Sequence, residues 1–211
     1  MAERALADDL TLEAPRVRLE PLGLRHVDGL VAAAAEDPSL YAWSYIPQGR
    51  EAMNAYVEAA VELRSRGLAL PLATVRRSDG ALVGSTRFFD FDRWPWPQDH
   101  PRRGGPMDGV EIGYTWLSGS AVRTAINTEA KLLMLTHAFE TWRVVRVCLH
   151  TDARNDRSAK AMERIGAKFE GVLRAHRFAV DHTPRDSKRF SIVAEEWPMV
   201  KARLAAKLEP W

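Results

Sequence analysis

A chain of 211 residues is long enough to bury one hydrophobic core and short for two domains. Apolar residues make up 46% and charged residues 27% of it, and the net charge of +2 gives no reason to invoke nucleic acid or an anionic membrane. The single cysteine, Cys148, excludes an internal disulfide, and the acidic N-terminal stretch lacks the apolar segment of a signal peptide. We therefore expect a cytoplasmic protein without nucleic-acid or membrane partners.

The first half of the chain predicts three strands and two helices around an aromatic loop. A short first strand contains Val17 and Leu19, and the Asp-Gly pair at 79–80 supplies the positive φ of a hairpin turn. Periodicity places helices over 24–36 and 50–66 and strands over 69–77 and 81–91, with the aromatic loop at 39–49 between the two helices. Residues 92–107 contain four prolines, two glycines and two tryptophans, a composition that predicts an inserted loop.

The second half predicts strand–helix units followed by a closing pair of strands. The predicted strands are 108–117, 144–151, 169–178 and 188–195. The predicted helices are 125–142 and 156–165, and a final helix ends near 207. Gly166 is a typical stop for the helix before it. The order predicts one α/β domain over 1–211, with a mixed sheet of about seven strands and an N-terminal extension over 1–15.

The junction of the strand at 110–117 with the following helix is the most informative segment. A loop of small residues joins the two, and main-chain N–H groups in such a loop and in the first helical turn lack partners, so they attract anions and phosphates above all. Arg123 can add a bidentate phosphate contact, while Thr124, Asn127 and Thr128 can cap the helix or bind phosphate. Strand–turn–helix units also occur in proteins that bind nothing, so the local pattern alone leaves both interpretations open.

Three segments, taken in order, resemble the GNAT N-acetyltransferase superfamily, and within it the RimJ/RimL-type branch. They are V-E-I-G-Y-T-W-L (110–117) with T-E-A-K (128–131), the stretch T-D-A-R-N-D-R-S-A-K through E-G-V-L-R (151–174), and Y-A-W-S-Y-I-P (41–47). The resemblance covers about 16–197. It implies a single GNAT domain whose mixed sheet splays at the cofactor groove. It also implies acetyl-CoA as co-substrate and direct acetyl transfer to a primary amine in a ternary complex.

The resemblance also implies which residues contact acetyl-CoA. The family loop reads Gln/Arg-x-x-Gly-x-Gly/Ala, and its three fixed positions fall on Ser120, Arg123 and Ala125, of which only Ala125 matches. Arg123 replaces a glycine and must therefore adopt a φ that suits this position. The implied contacts are Thr115, Trp116, Leu117, Arg123, Thr124, Ala125, Ile126, Asn127, Thr128, Asn155 and Ser158.

Three residues are candidates for the chemistry. The family tyrosine falls at Met162, which cannot donate a proton, and the resemblance places Ser158 beside the CoA sulfur instead. Glu111 is the first candidate base, because a carboxylate on a central strand is costly unless it is used or paired; the alternative is a structural ion pair with an arginine. His150, at the end of the next strand, is the second candidate.

Trp43 and Tyr45 are assigned to the acceptor pocket, with ordinary core aromatics as the alternative. The acceptor itself stays open between protein N-termini and small-molecule amines. Two rivals remain: the same fold with another acyl-CoA such as succinyl-CoA, and a catalytically weak CoA-binding or interaction module. The chain has no Cys-x-x-Cys and no histidine pair at helical metal spacing, so no metal is expected. A homodimer is predicted from RimL-like relatives and from apolar residues in 92–107 and in the C-terminal helix.

Overall fold

The computed structural model describes residues 10–105 and 107–209, and within them it forms an eight-stranded mixed sheet with five α-helices. The strands are β1 (Leu12–Glu13), β2 (Val17–Pro21), β3 (Ala69–Arg76), β4 (Leu82–Asp92), β5 (Gly109–Leu117), β6 (Arg146–Asp152), β7 (Lys168–Phe178) and β8 (Pro184–Val193). The helices are α1 (Val27–Ala35), α2 (Arg50–Ser65), α3 (Ile126–Thr136), α4 (Asp156–Arg164) and α5 (Trp197–Ala206). The sheet order is β1-β2-β3-β4-β5-β6-β8-β7. This confirms the single mixed α/β domain.

The additional strand lies in the segment predicted to be an N-terminal extension. Residues 1–9 of that segment are outside the described residues, but Leu12 of β1 pairs with Leu19 of β2 in antiparallel fashion. Leu10 and Leu12 also pack, partly buried, against the core. The sheet therefore begins at residue 12, because these apolar side chains gain burial by pairing with the edge of β2.

The two faces of the sheet carry separate hydrophobic clusters. On one face, Phe88 and Ile112 pack with Met134 of α3 and Leu204 of α5, all fully buried or nearly so. The other face is covered by α1 and α2, whose cluster includes Leu30, Met53, Ala73 and Trp116. Each fully buried large apolar side chain contributes roughly 1.5–3 kcal/mol. The strands are therefore packed on both faces, and this packing fixes their positions.

The predicted splay lies between β5 and β6. These parallel strands pair only from Gly109 with Arg146 to Glu111 with Cys148, and beyond that point β5 continues to Leu117 beside β4 alone. A register irregularity between β4 and β5 accompanies Tyr114, whose φ of +50° is unusual for a side chain with a Cβ. We call the opening beyond Glu111 the fork, and Glu111 lies at its vertex.

The Pro/Trp insertion predicted over 92–107 is irregular in its described part, apart from its first residue, Asp92, which closes β4. The Trp94 N–H and the Trp96 indole each donate to the Asp108 carboxylate at 2.7 Å. Asp108 directly precedes β5, so the insertion is anchored at the start of β5. The loop between β5 and α3, which we call the phosphate loop, lies at the other end of that strand.

Candidate active site

The loop between β5 and α3 has a left-handed residue at the position where the family motif has its first glycine. The N–H groups of Ala121 and Val122 both donate to the Ser118 carbonyl, and Arg123 then adopts a φ of +62°. A left-handed conformation costs an ordinary L-residue about 1–2 kcal/mol. Arg123 therefore bears a conformational cost at the position where the family motif has its first glycine.

The same loop presents three main-chain donors without a described acceptor. The N–H groups of Arg123, Thr124 and Ala125 donate in none of the described hydrogen bonds, whereas the Ile126 N–H donates to the Thr124 hydroxyl at 3.3 Å. These donors lie immediately before α3, where the helix dipole adds positive potential. The left-handed residue within the run turns successive N–H groups toward one concavity, which is the geometry of an anion site.

Basic side chains surround one side of this loop. A cavity of about 420 Å³ beside the start of α3 is lined by Arg16, Arg76 and Arg77 together with Ser120 and other loop residues. The cavity lies beside the helix start and outside the fork, so it can hold charged groups but is not the place of acyl transfer.

One carboxylate reaches the same loop from the end of α1. Glu36 accepts hydrogen bonds from the Ser120 N–H at 2.6 Å and from its hydroxyl at 3.2 Å. Glu36 thus takes one N–H of the loop and leaves the three before α3 available.

The start of α4 closes the other side of the fork. The Asn155 side chain accepts from the Ser158 N–H at 3.0 Å and so acts as the N-cap of α4. The Ser158 hydroxyl is half-buried and makes none of the described hydrogen bonds. Met162, at the position of the family tyrosine, packs against the core. Among these predicted residues, Ser158 therefore retains a free hydroxyl at the helix start.

The aromatic loop after α1 bridges the two arms of the fork. The Tyr41 hydroxyl donates to the Leu117 carbonyl at the end of β5, and Arg157 of α4 donates to the Leu40 carbonyl. The Trp43 ring lies 4.4 Å from the Arg154 guanidinium carbon, and Tyr45 is 72% exposed. The alternative that Trp43 and Tyr45 are core aromatics is wrong, because both rings lie at the surface of this loop.

Glu111 is buried at the vertex of the fork and is surrounded by cationic or basic groups. Arg177 of β7 donates to its Oε2 at 3.1 Å, and His150 Nδ1 lies 2.9 Å from the same oxygen, although not in line for a hydrogen bond. The ion pair with an arginine that the sequence raised is therefore present, and the structure also brings the second candidate base, His150, next to the first. The side chains of Glu111 and His150 are only 7% and 6% exposed, so the two groups meet away from bulk water.

Two histidines at this vertex carry buried ring nitrogens without hydrogen-bond partners among the described residues. They are both nitrogens of His150 and Nδ1 of His176, and the two ring centroids are 4.9 Å apart. Burial lowers the pKa of His176, and Arg177 adds to that effect. Since buried polar atoms in native proteins are nearly always satisfied, these nitrogens indicate a position completed by water or by a ligand.

A buried lysine lies close to the outer arm of β5. Lys131 of α3 donates from Nζ to the Thr115 hydroxyl at 2.7 Å and to the Thr86 hydroxyl at 3.2 Å. Burial lowers the pKa of Lys131 to about 7. The sequence analysis did not single out this residue, although a lysine at the head of the apolar run K-L-L-M-L was a readable signal.

Sequence reasoning also missed further residues of the acceptor side, namely Arg87, Tyr114, His176, Arg177 and Arg185. Arg87 carries the clearest signal, because it is a charged residue within the apolar segment V-G-S-T-R-F-F. Tyr114 lies on the same strand as Glu111. His176, Arg177 and Arg185 come from β7 and β8, and their meeting with Glu111 depends on the pairing of β7 with β8 and of β8 with β6.

A mixed sheet that forks between two parallel strands, with an anion-binding loop at the tip of one arm, defines an acyl-CoA-dependent N-acetyltransferase. The chain belongs to the GNAT family: the family model for the acetyltransferase (GNAT) domain matches residues 16–168. No curated protein matches the chain.

Solved structures agree with this assignment over nearly the whole chain. A GCN5-related N-acetyltransferase from Brucella melitensis is 27% identical, with a TM-score of 0.81 over 96% of this chain and 86% of that one. A candidate acetyltransferase from T. thermophilus is 33% identical, with a TM-score of 0.76 over 94% and 97%. Mycobacterium smegmatis RimJ in complex with CoA-disulfide is 23% identical and shares the fold, with a TM-score of 0.73 over 94% and 93%.

Two negative findings apply to the described residues, 10–105 and 107–209. Their His, Cys, Asp and Glu side chains form no group of three or more that could hold a metal ion. None of their helices is long and apolar enough to cross a membrane.

Proposed function

We propose that this chain transfers the acetyl group of acetyl-CoA to a primary amine, at a protein N-terminus or on a small molecule, by direct attack within a ternary complex. The observation that carries the proposal is the position of Glu111 at the vertex of the fork, with the free N–H groups of the phosphate loop at the tip of the same strand. Three of the structures similar in fold bear the names RimJ, ribosomal-protein-serine acetyltransferase and ribosomal-protein-S5-alanine acetyltransferase, which supports a RimJ/RimL-type enzyme.

The chain offers suitable groups to an acyl-CoA. The free N–H groups of Arg123, Thr124 and Ala125 would bind its phosphates, and the exposed Arg123 side chain would add a charge-assisted contact. The outer part of β5, residues 115–117, has no β6 partner and would lie along the acyl arm, where its main-chain N–H groups can polarise the thioester carbonyl. When bound, acetyl-CoA supplies the thioester.

In the proposed reaction Glu111 accepts a proton from the acceptor amine, directly or through water, with His150 as the alternative base. The neutral amine then attacks the thioester carbonyl carbon and the C–S bond breaks. The second proton leaves the attacking nitrogen and passes to the departing thiolate, so that the amide and CoA are formed. Arg177, at 3.1 Å, holds the Glu111 carboxylate toward the fork. The free hydroxyl of Ser158 is assigned to the departing thiolate, because Met162 has no proton to give.

Several finer points remain proposals. Succinyl-CoA is the alternative donor, and Met162 is the one observation that favours a catalytically weak CoA-binding module. A cytoplasmic location rests on the single cysteine. The homodimer loses its C-terminal-helix argument, because Trp197, Val200 and Leu204 are buried in the core of the chain itself. It rests instead on the edge strand β7, where Phe169 and Phe178 are exposed.

The test is a melting experiment combined with an amine panel. Acetyl-CoA at 100 times its dissociation constant should raise the unfolding free energy by about 2.7 kcal/mol. A panel of peptides and small amines should then release free CoA in proportion to the amide formed. A melting shift with acetyl-CoA but no release with any amine would support the binding-module alternative, and no shift with any acyl-CoA would overturn the proposal.

A further inference from the structure

Arg87 of β4 is a buried cation without an anionic partner in the described part of the chain. The residue is only 4% exposed, and its one described hydrogen bond runs from Nη2 to the Tyr56 hydroxyl at 3.4 Å. Its guanidinium carbon lies 4.0 Å from the ring centroid of Tyr114 and 5.7 Å from that of Tyr56. The two tyrosines pack around the guanidinium, and no carboxylate of the described residues neutralises it.

Such an arrangement is costly unless a ligand completes it. Charged side chains are rarely buried without a partner, because nothing else compensates for the lost hydration. Three buried carboxylates are each bound by an arginine: Arg16 binds Glu129, Arg154 binds Asp152, and Arg177 binds Glu111. The fourth, Asp108, accepts hydrogen bonds from the Trp94 N–H and the Trp96 indole. Arg87 is the one arginine among the described residues that is buried as a whole, and it has no carboxylate partner, so its missing counter-charge points to an anion supplied from outside.

Arg87 and Glu111 line the same wall. Arg87 pairs with Gly113 of β5, and Phe89 pairs with Glu111, with no register shift between the two pairs. The two pairs therefore lie on one face, about 7 Å apart along the strands. The Phe89 ring contacts the Tyr114 ring at 5.1 Å and the Arg177 guanidinium at 5.3 Å. We call these residues, Arg87, Phe89, Glu111, Tyr114 and Arg177, the acceptor wall.

Gly113 lets the Phe89 ring lie directly against β5 between Arg87 and Glu111. A Cβ at this position would lie 2.9 Å from the Phe89 ring and 3.7 Å from Glu111 Oε1. The acceptor wall therefore has no side chain from β5 between its cation and its carboxylate. A small molecule that spans the two groups would therefore lie across the Phe89 ring.

The charge of this region disfavours a plain cationic amine. Arg177 already occupies both nearby carboxylates, Glu111 at 3.1 Å and Asp90 at 3.0 Å. Arg185 adds a third guanidinium, which donates to the Ser187 hydroxyl, and burial together with Arg177 lowers its pKa. Asp152 also acts on Arg185 but is already bound by Arg154, so four guanidiniums against three carboxylates repel an ammonium group that brings no negative charge of its own.

Resting on the function proposed above, we propose that Arg87 binds a carboxylate of the acceptor, so that the substrate is an amine with a carboxylate a few bonds away. Its amine lies at Glu111 and its carboxylate at the edge of the Arg87 guanidinium, between the tyrosine rings. A planar carboxylate matches the in-plane N–H donors of arginine, and a free amino acid or a peptide with an acidic residue near its N-terminus supplies this chemistry.

The experiment compares acceptors that differ only in the carboxylate. One arm pairs amino acids with their amides, and the other pairs peptides that carry Asp or Glu at the second position with the matched Asn or Gln peptides. We expect the wild type to favour the carboxylate member of at least one arm by tenfold or more in kcat/KM. In Arg87→Gln this preference should fall below threefold, mainly through a higher KM for the acceptor, and Arg87→Lys should retain part of it.

Two controls keep the outcome decisive. Arg18→Gln removes an arginine of β2 that pairs with Glu20 away from the fork, and it should leave the preference unchanged. The melting shift with acetyl-CoA should be the same in Arg87→Gln as in the wild type, which shows that the variant folds. If Arg87→Gln does not fold, the inference is tested by the carboxylate preference of the wild type and by the extent to which Arg87→Lys retains that preference.

The inference is overturned if the wild type shows no carboxylate preference in either arm, or if Arg87→Gln keeps it. If no acceptor is turned over at all, the function proposed above fails, and binding of the same pairs to the CoA-saturated protein still tests Arg87. Carboxylate-selective binding that Arg87→Gln abolishes would support the inference, and equal binding of both members would overturn it.

Discussion

The two sides of the fork use different chemical groups: main-chain N–H groups on the cofactor side and side chains on the acceptor side. On the cofactor side, the donors are main-chain N–H groups that precede α3, and Arg123 preserves their arrangement with a φ of +62° although the glycine is gone. On the acceptor side, side chains from β4, β5, β6 and β7 form the acceptor wall and its histidines. A main-chain site tolerates a changed motif if the backbone follows the same path. A side-chain site changes its specificity with each substitution.

We expect the largest loss in the free energy of unfolding when the bond that attaches α3, on the cofactor side, to the sheet is removed. Glu129 of α3 is buried and accepts from the Arg16 N–H at 2.7 Å and from its guanidinium at 3.2 Å. Glu129→Ala leaves the backbone donor that directly precedes β2 unpaired, so we expect a loss of about 3 kcal/mol in the free energy of unfolding, measured by urea denaturation. Asp28→Ala removes the partner of Arg50 in an ion pair whose side chains are both exposed, and it should cost less than about 1 kcal/mol. Equal losses would show that Glu129 is no tether.

Lys131 should show a cost of burial that appears as a pH dependence of the free energy of unfolding. Its folded-state pKa of about 7 lies below the 10.5 of an exposed lysine, so the unfolded chain binds more protons between these values. The free energy of unfolding should therefore rise with pH from about 7 toward 10, and the cost of burial is fully present below pH 7. Lys131→Met should raise stability at pH 7 by about 2 kcal/mol and flatten the rise, because the desolvation cost exceeds the loss of two hydroxyl hydrogen bonds worth about 1 kcal/mol each. A variant with the wild-type slope would contradict this.

Arg123 separates the backbone and side-chain contributions of the phosphate loop. Arg123→Gly relieves the left-handed conformation and should stabilise the protein by up to about 1 kcal/mol, while Arg123→Ala keeps that conformational cost. Both variants lose the guanidinium and should bind acetyl-CoA about tenfold more weakly, with a flatter salt dependence, as titration calorimetry can measure. If Arg123→Gly binds as tightly as the wild type, the side chain points away from the phosphates.

The contrast between the two sides also explains how far sequence reasoning reached. The order of strands and helices after β1 follows from local patterns. The splay between the strands at 108–117 and 144–151 and the special φ required of residue 123 follow from the family motif, and the structure contains both. The sequence alone could not connect Arg87 and Arg177 with Glu111. Arg87 lies on the same wall as Glu111 only because of the register between β4 and β5. Arg177 reaches Glu111 from a strand more than 60 positions further along the chain. The strand β1 was missed for a related reason, since two residues carry too little periodicity to predict pairing.

The central claim is that acyl transfer takes place at the vertex of the fork with Glu111 as the base. It is tested most directly by kcat/KM for the best acceptor in the wild type and in Glu111→Gln, each with its acetyl-CoA melting shift. A positioned general base contributes about 10²–10⁴-fold, so we predict a fall of at least about a hundredfold in Glu111→Gln with an unchanged melting shift. Full activity in Glu111→Gln, in protein that still binds acetyl-CoA, would contradict the account.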